Sequence, residues 1–530
     1  MALLTFVGGI ALTVGGSRKG ACGFLVEKGA IEDENLDRVC AEVLRPLRQF
    51  PRGFRRLRVH ALISRSRSTR RVRLCRPAAR LAAGMKAQTD MEGTARGIVA
   101  RLRERGHVAY FAGGCVRDLL LGVAPKDFDV ATDARPETVQ QIFPRTYAVG
   151  AHFGVVVVLE NGLQFEVATF RADGAYLDGR RPTEVHFASA EEDAARRDFT
   201  INGMFFDPAE NRVIDFVCGR GDLESREVRA IGDPVARFRE DRLRLLRAVR
   251  FATVLGFEIE GATWAALCEH AAAIREISAE RIREELVRIF LSPARVRGWD
   301  LLDASGLMAA VLPEVAAMKG CAQPPQFHPE GDVFVHTRIM LDLLPAEVSL
   351  PLVFSVLFHD IGKPPTSQID ETGRIRFNGH DRVGAEMTES VMTRLRFSRA
   401  EIDATVEMVR QHMVFKDVPK MRVAKLKRFM ARETFADELE LHRVDCASSH
   451  GMLDNYEFLL GKREEFAHEP IIPPPLLRGD DLMALGLRPG PKFGEILDEL
   501  ETRQLEGDLR DREGALAWVK AKYLAAPEVG

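Results

Sequence analysis

The sequence predicts an α+β protein, with a small mixed sheet and helices at the front and a long all-α remainder behind. Three observations predict it. Between His107 and Phe170, short apolar runs punctuated by glycine, proline and asparagine alternate with helical periodicity. From about Arg237 onward strand patterns nearly vanish and helical periodicity dominates. The chain has 530 residues, too many for one compact core. Pro324-Pro325 and Pro473 to Pro475 mark two joints. The expected divisions are an extension over 1–84, a head over 85–215, a helical neck and body over 216–325, a third helical domain over 326–470 and a helical tail over 471–530.

Taken in order, Thr94 to Arg105 reads as a helix with Ile98, Val99 and Leu102 on one face and Gly106 as its stop. His107 to Ala112 reads as a short buried strand ended by Gly113-Gly114. A helix follows from Val116. Lys126 to Ala131, Val155 to Leu159 and Gln164 to Phe170 read as strands, the last two joined by a hairpin turn at Asn161-Gly162. The tail from Arg478 to Tyr523 reads as helical, with Gly479 to Leu482 as a capped start.

Composition narrows the class. Apolar residues make up 46% and charged residues 29%, as in a soluble globular protein. No run of 18 apolar residues occurs, so a spanning helix is not expected. Ala2 to Gly16 is uncharged but short, glycine-rich and without a basic start, which makes a poor signal peptide. Eight cysteines without C-x-x-C spacing argue against a zinc ribbon or a disulfide framework and point to a reducing, cytoplasmic setting. No membrane association and no protein partner is expected. The net charge of −2 joins two unlike pieces. Residues 1–84 carry 17 Lys+Arg against 6 Asp+Glu, whereas residues 85–530 carry 58 against 71. Thirteen arginines between Arg45 and Arg80 have no acid among them. Either this extension is not part of the functional protein, with Met85 and Met91 as candidate starts, or it is a basic arm that binds RNA.

Gly113 and Gly114 stand at a strand-to-helix turn, where the backbone can approach a phosphate closely. Arg117, one turn on, can reach a phosphate or lock the fold. Asp127 and Asp129 lie two apart in Lys126-Asp127-Phe128-Asp129-Val130, so on a strand they share one face while Phe128 and Val130 face a core. Two close carboxylates repel unless a cation lies between them, and Mg2+ held by carboxylates and substrate phosphates is the usual nucleotide arrangement. The competing reading is a solvent-facing edge strand. Glu166 on the next hairpin is a candidate third carboxylate.

Gly113-Gly114-x-Val116-Arg117-Asp118 followed by Asp127-x-Asp129 resembles the signature of the polymerase-β-like nucleotidyltransferases. Arg196 to Met204 (RRDFTINGM) and Glu240 to Arg247 (EDRLRLLR) narrow the resemblance to class II tRNA nucleotidyltransferases, the CCA-adding enzymes, and bacterial poly(A) polymerases. It covers roughly Tyr110 to Phe251. One departure is Gly203, where the family commonly has alanine. The resemblance implies a polymerase-β-like head and template-independent addition of C, C and A to a tRNA 3′ end from CTP and ATP, with Mg2+ at the head carboxylates. Poly(A) addition and A-only or CC-only addition are the alternatives. The last forty residues hold nine acids against six bases, unlike the basic tail of family poly(A) polymerases.

Arg197 can hold a triphosphate, and Asp198 and Asn202 can orient a sugar or cap a helix. Asp241, Arg244, Arg247 and Arg250 recur every three residues, as one polar stripe along a helix or as a salt-bridged exposed face. The resemblance assigns Asp241 and Arg244 to base selection. A carboxylate only accepts and a guanidinium only donates, which suits the amino group and ring nitrogen shared by cytosine and adenine. Uracil and guanine put a carbonyl where the amino group belongs. With the chain beyond residue 84 net acidic, RNA contact is expected from local patches such as Arg244 to Arg250. Arg171 to Pro182 resembles the family's flexible loop that helps switch nucleotide choice.

In the second half, Pro351 to Phe358 is an apolar helix ending in His359-Asp360-Ile361-Gly362-Lys363. Buried polar side chains there are costly unless paired or metal-bound. His336, His380, His412 and Asp445 accompany them, and seven of thirteen histidines fall between His328 and His450. The cluster resembles the HD phosphohydrolases, whose ligands map to His336, His359, Asp360 and Asp445, with His380 and His412 for a second metal. Imidazole plus carboxylate suits Mn2+, Fe2+, Ni2+ or Zn2+, with Mg2+ as a further candidate. The resemblance implies removal of phosphates from RNA ends.

Overall fold

The computed structural model describes residues 91–147, 154–173, 185–468 and 470–524, together with the backbone of four short strands nearer the N-terminus. Those strands are Leu4–Val7, Ile10–Gly16, Cys22–Glu27 and Ala61–Leu62, the first three antiparallel and the last parallel to its neighbour. The rest of 1–84, and with it the expected basic arm, lies outside the described residues. So do residues 174–184, most of the loop expected to switch nucleotides. The chain divides into two compact units. One comprises Met1–Arg171, Phe187–Ala190 and Phe205–Ile214, and the other the remainder.

The first unit is built on a seven-stranded mixed sheet. Its strands are β1 (Ala109–Ala112), β2 (Asp129–Thr132), β3 (Thr146–Tyr147), β4 (Val155–Glu160), β5 (Leu163–Thr169), β6 (Phe205–Asp207) and β7 (Arg212–Ile214), in the order β7-β6-β1-β2-β5-β4-β3. Only β2 and β5 pair in parallel; the other neighbours are antiparallel. Asn161 and Gly162 both take positive φ, 52° and 77°, the geometry that a two-residue turn between β4 and β5 requires. A helix over 91–104, α1, buries Ala95, Ile98, Val99 and Leu102, spaced three and four apart on one face. Arg103 fixes that helix to β6 through Asp207 Oδ2 at 2.6 Å. Phe111, Phe128 and Phe143 fill the core, with the Phe111 and Phe128 rings edge-to-face at 5.1 Å.

Helices dominate the second unit. Beyond residue 215, short strand pairs interrupt them, Glu227–Val228 with Glu258–Ile259 and Ser367–Ile369 with Ile375–Phe377. The elements that matter below are α2 (Pro234–Glu240), α3 (Leu243–Leu255), α4 (Ala279–Phe290), α5 (Val333–Leu343), α6 (Leu350–Phe358), α7 (His380–Arg394), α8 (Arg399–Gln411) and α9 (Phe435–Ser448). In α3, Leu245, Leu246, Val249 and Ala252 are fully buried, as the pattern predicts. In α6 every residue from Leu352 to Phe358 is buried, so the helix delivers its C-terminal polar pair into a dry environment. The tail forms its own small core of Leu477, Leu482, Ile496, Leu500, Ala515 and Val519. Among the described residues, no helix is long and apolar enough to cross a membrane.

Candidate active sites

In the head, Asp127 lies two residues before β2, and Asp129 is its first residue. The expected strand therefore starts later than its pattern suggests, yet the two-faced character holds. Asp127 is exposed and Asp129 half-buried, while Phe128 and Val130 are 2% and 0% exposed. Across the sheet, Asp129 pairs with Ala112, the residue just before Gly113-Gly114. On the other side Val130 pairs with Val167, so Asp129 and Glu166, each one residue earlier, are neighbours on the face opposite the core. Gly113 has φ +73°, a left-handed conformation that turns the chain sharply into a helix, Gly114–Leu120. Arg117 folds back over Gly114 and donates to Asp118 Oδ1 at 2.7 Å. Cys115 lies beneath the carboxylates. Burial, reinforced by the charges of Asp129 and Asp127, pushes its thiol up to about 12.

In the second unit the cations expected to bind nucleotide each hold an internal acceptor. Arg197 donates to Asp193 Oδ2 at 2.9 Å and to the Asn202 carbonyl at 3.3 Å, and Arg196 donates to Asp193 Oδ1 at 2.6 Å. Asp198 accepts from the Phe199 amide, from Asn202 Nδ2 and, through Oδ2, from Arg247 Nε at 2.8 Å. Burial alone would raise the Asp198 carboxyl, but Arg247 overcomes this and holds it at about 2. Arg244 is buried and donates to Glu240 Oε2 at 2.6 Å and to the carbonyls of Arg237 and Arg196, each at 3.0 Å. Arg250 bridges to Glu285 of α4 and lies 3.9 Å from the centroid of the Phe251 ring.

Of the polar stripe expected from Asp241 to Arg250, Arg244, Arg247 and Arg250 keep their three-residue spacing along α3, and Asp241 drops out. Asp241 stands outside α3 in extended backbone, φ −140°, because its carboxylate accepts from the Leu243 amide at 3.0 Å and starts the helix instead of joining it. It also takes a two-pronged contact from Arg281 of α4, at 3.2 and 2.7 Å. The arginines of the expected RNA-contacting patch from Arg244 to Arg250 each hold an ion pair, Arg244–Glu240, Arg247–Asp198 and Arg250–Glu285.

The histidine-aspartate cluster does assemble. His336 on α5, His359 and Asp360 after α6, His380 at the start of α7 and His412 after α8 are all buried, with Asp445 of α9 partly exposed. The donor atoms of His336, His359 and Asp360 lie within 4.8 Å of one another, and so do those of Asp360, His380 and His412. His380 Nε2 faces His412 Nε2 at 3.2 Å, and Asp445 Oδ1 is 3.2 Å from His336 Nε2. Three of the rings turn Nδ1 to a backbone carbonyl three residues back. His359 contacts Val356 O at 2.9 Å, His380 contacts Phe377 O at 2.8 Å and His412 contacts Val409 O at 2.6 Å. With Nδ1–H donated outward, each Nε2 points inward as a lone pair. His359 Nε2 and Asp360 Oδ1 are buried without a hydrogen-bond partner among the described residues. Orphaned donor atoms of these two types fit a divalent metal, and the HD cluster is a divalent-metal site.

Electrostatics agree with that fit. Burial would raise Asp360, but the adjoining His359 ring and the Lys363 ammonium hold it well below the usual carboxylate range. Burial presses His412 down to about 4 and keeps it neutral. Lys363 Nζ lies 2.6 Å from Asp360 Oδ2 and 2.7 Å from Gln323 Oε1. Gly362 is required by close approach, since a Cβ there would lie 2.2 Å from the His380 carbonyl oxygen.

Three family models match: the poly(A) polymerase head domain over residues 109–229, a probable RNA- and SrmB-binding site of polymerase A over 256–319, and the HD domain over 333–443. The CCA-adding enzyme of Levilactobacillus brevis is 32% identical over 430 residues, covering 80% of this chain and 96% of that one. The chain belongs to the CCA-adding enzyme family. It spans about half the length of another relative, the CCA-adding enzyme of Limosilactobacillus fermentum: the match is 44% identical over 205 residues and covers 38% of this chain and 51% of that one. The structure of the Bacillus stearothermophilus CCA-adding enzyme in complex with CTP aligns with a TM-score of 0.63 at 28% identity, covering 80% of this chain and 95% of that one. The Thermotoga maritima CCA-adding enzyme complexed with tRNA shares the fold, with a TM-score of 0.53 at 20% identity over 81% of this chain and 94% of that one.

For a CCA-adding enzyme family member, Gly203 in place of alanine has a local cause. A methyl group there would come within 2.7 Å of Val217 Cγ2 and 3.0 Å of Ile231 Cδ1, so these side chains fill its space. Several residues at the two sites had escaped the sequence reading. Arg281 and Glu240, which hold Asp241 and Arg244, come from a distant helix and from the motif itself. Gln323 and Glu330 come from a proline-containing loop with no distinctive spacing.

Proposed function

We propose that this chain adds C, C and A to the 3′ end of tRNA, using CTP and ATP without a nucleic-acid template, and that its HD domain removes phosphates from RNA ends, both in the cytoplasm. The reading is supported above all by the register of the head sheet, in which Ala112, Asp129 and Glu166 are neighbours beside the Gly113-Gly114 turn. In the transfer step the 3′-hydroxyl gives its proton to solvent as its oxygen forms a bond to the α-phosphorus. The bond from that phosphorus to the bridging oxygen breaks, and pyrophosphate leaves. Mg2+ at Asp127 and Asp129 would supply charge neutralisation for the attacking and leaving oxygens. Glu166 adds a third carboxylate. In the head, Gly113, Gly114 and Arg117 receive phosphates; in the second unit Arg197 holds a triphosphate, and Asp198 and Asn202 orient the sugar.

Asp241 accepts from the exocyclic amino group of cytosine or adenine and Arg244 donates to the adjacent ring nitrogen. Arg247 and Arg250 act beneath this pair through Asp198 and Glu285. In the HD domain, His336, His359, Asp360 and Asp445 would hold one metal, and Asp360, His380 and His412 a second. Such a metal supplies a nucleophilic water at neutral pH. We assign these roles to the divisions 85–215, 216–325 and 326–470, with the tail 471–530 helping to hold RNA and 1–84 outside the function.

The test is incubation with tRNA lacking its terminal CCA and labelled CTP, ATP or both. CTP incorporation followed by ATP incorporation is expected. Absence of CTP incorporation would overturn the reading, and ATP-only extension would convert it to poly(A) or A-only addition.

A further inference from the structure

His336 differs from the other three histidines of the HD cluster. Their Nδ1 atoms all meet the backbone carbonyl three residues back, whereas the equivalent carbonyl for His336, that of Val333, accepts the Thr337 hydroxyl at 2.9 Å inside α5. His336 Nδ1 instead lies 2.7 Å from Glu330 Oε1. The same oxygen takes His328 Nδ1 at 2.9 Å, and Glu330 Oε2 is buried without a partner among the described residues. The pair is dry: His336 is 0% and the Glu330 side chain 7% exposed. A weaker alternative exists in Ser448 Oγ, 3.4 Å from His336 Nδ1, which donates its own proton to the Asp445 carbonyl.

We propose that Glu330 is a positioning residue of the HD metal site: its Oε1 takes the Nδ1–H of His336, fixing the ring so that Nε2 faces the metal. This rests on the HD cluster being a divalent-metal site. A carboxylate behind a histidine ligand fixes its tautomer and orientation and raises its basicity, and losing such a partner costs about 10–100-fold in metal affinity. Glu330 supplies from a side chain what the backbone supplies to His359, His380 and His412. His328 holds the same oxygen from the other side and limits where the carboxylate can turn.

The test is calorimetric titration of the full, chelator-treated chain with Mn2+. Four proteins are compared: wild type, Glu330→Ala, Glu330→Gln and the double variant Glu330→Ala, Ser448→Ala. Glu330→Ala is expected to raise the Mn2+ Kd about 10-fold, because Ser448 takes over in part, and the double variant about 100-fold. Glu330→Gln keeps an acceptor oxygen and should recover most of the affinity, a rescue that bulk packing alone would not produce. Melting temperatures measured without metal serve to exclude global unfolding. A Glu330→Ala protein that binds Mn2+ with the wild-type Kd would overturn the proposal, as would a Glu330→Gln protein no better than alanine. Loss of one whole equivalent of Mn2+ with the rest bound normally would make Glu330 a ligand and overturn the positioning role. A wild-type chain that takes up no Mn2+ would overturn the metal site itself, an outcome distinct from all the others.

Discussion

In the head, Asp127 and Glu166 are exposed and Asp129 half-buried along one face of a sheet. In the HD cluster, His336, His359, Asp360, His380 and His412 are buried, and all four imidazoles have Nδ1 engaged by a protein acceptor. The first arrangement leaves carboxylates in water, where a cation shared with substrate phosphates can come and go. The second holds donor atoms in a dry shell, where leaving the inward positions empty is costly. One chain thus carries a site suited to a metal that travels with the nucleotide and another suited to a resident metal.

The largest expected effect separates these plans. The change Asp127→Ala, Asp129→Ala should lower nucleotide addition by about a thousandfold or more while leaving phosphate release from RNA ends intact. A labelled-nucleotide assay beside a phosphatase assay reads both, and equal loss in the two would break the comparison. Gly362→Ala should act in the opposite sense. Its methyl group would meet backbone atoms of α7, so a destabilisation of about 3 kcal/mol and loss of HD-site metal are expected by thermal melting and metal analysis.

A third prediction concerns Asp198. Its folded value of about 2 lies below the ordinary 3.8. The stability it contributes, about 2 kcal/mol, is therefore present above pH 3.8 and lost as pH falls toward 2. Asp198→Asn should flatten that acid limb in a series of melting curves from pH 6 down to pH 2. A smaller effect is expected for Arg281→Ala, which frees Asp241 from its fork. Discrimination of CTP against UTP should fall about tenfold, and Arg281→Lys should not restore it, because an ammonium cannot bridge both oxygens. Steady-state incorporation of each nucleotide measures this. Smallest is Gly203→Ala, expected to cost about 1 kcal/mol in melting experiments as Val217 and Ile231 give way, with nucleotide addition retained.

Local periodicity carried most of what the sequence reading recovered. Phe128 and Val130 inward with Asp127 and Asp129 outward, the Asn161-Gly162 turn and the buried run of α6 all follow from spacings of a few residues. The histidine cluster was legible because so many donor residues fall in one stretch. What escaped depends on pairs far apart in the chain. Arg250 meets Glu285 and Asp241 meets Arg281, 35 and 40 residues away, and no local pattern encodes such partners. A regular three-residue spacing made Asp241 look helical, although an aspartate two residues ahead of a helix is also a capping signal. Glu330 sits in a loop where no periodicity applies.

The engaged state of Arg244 and Asp241 has a thermodynamic consequence. Arg244 already donates to three oxygens, and Asp241 already accepts from Arg281 and the Leu243 amide. Under the base-selecting role proposed for this pair, an incoming base would not find bare groups there. It would exchange for contacts that exist, and a matching base would leave the number of hydrogen bonds nearly unchanged. A base with a carbonyl facing Asp241 cannot complete the exchange and strands an acceptor against an acceptor. Selection of this kind is compatible with weak binding of the correct nucleotide, so strong choice and rapid release can coexist, as the proposed succession of single additions would require.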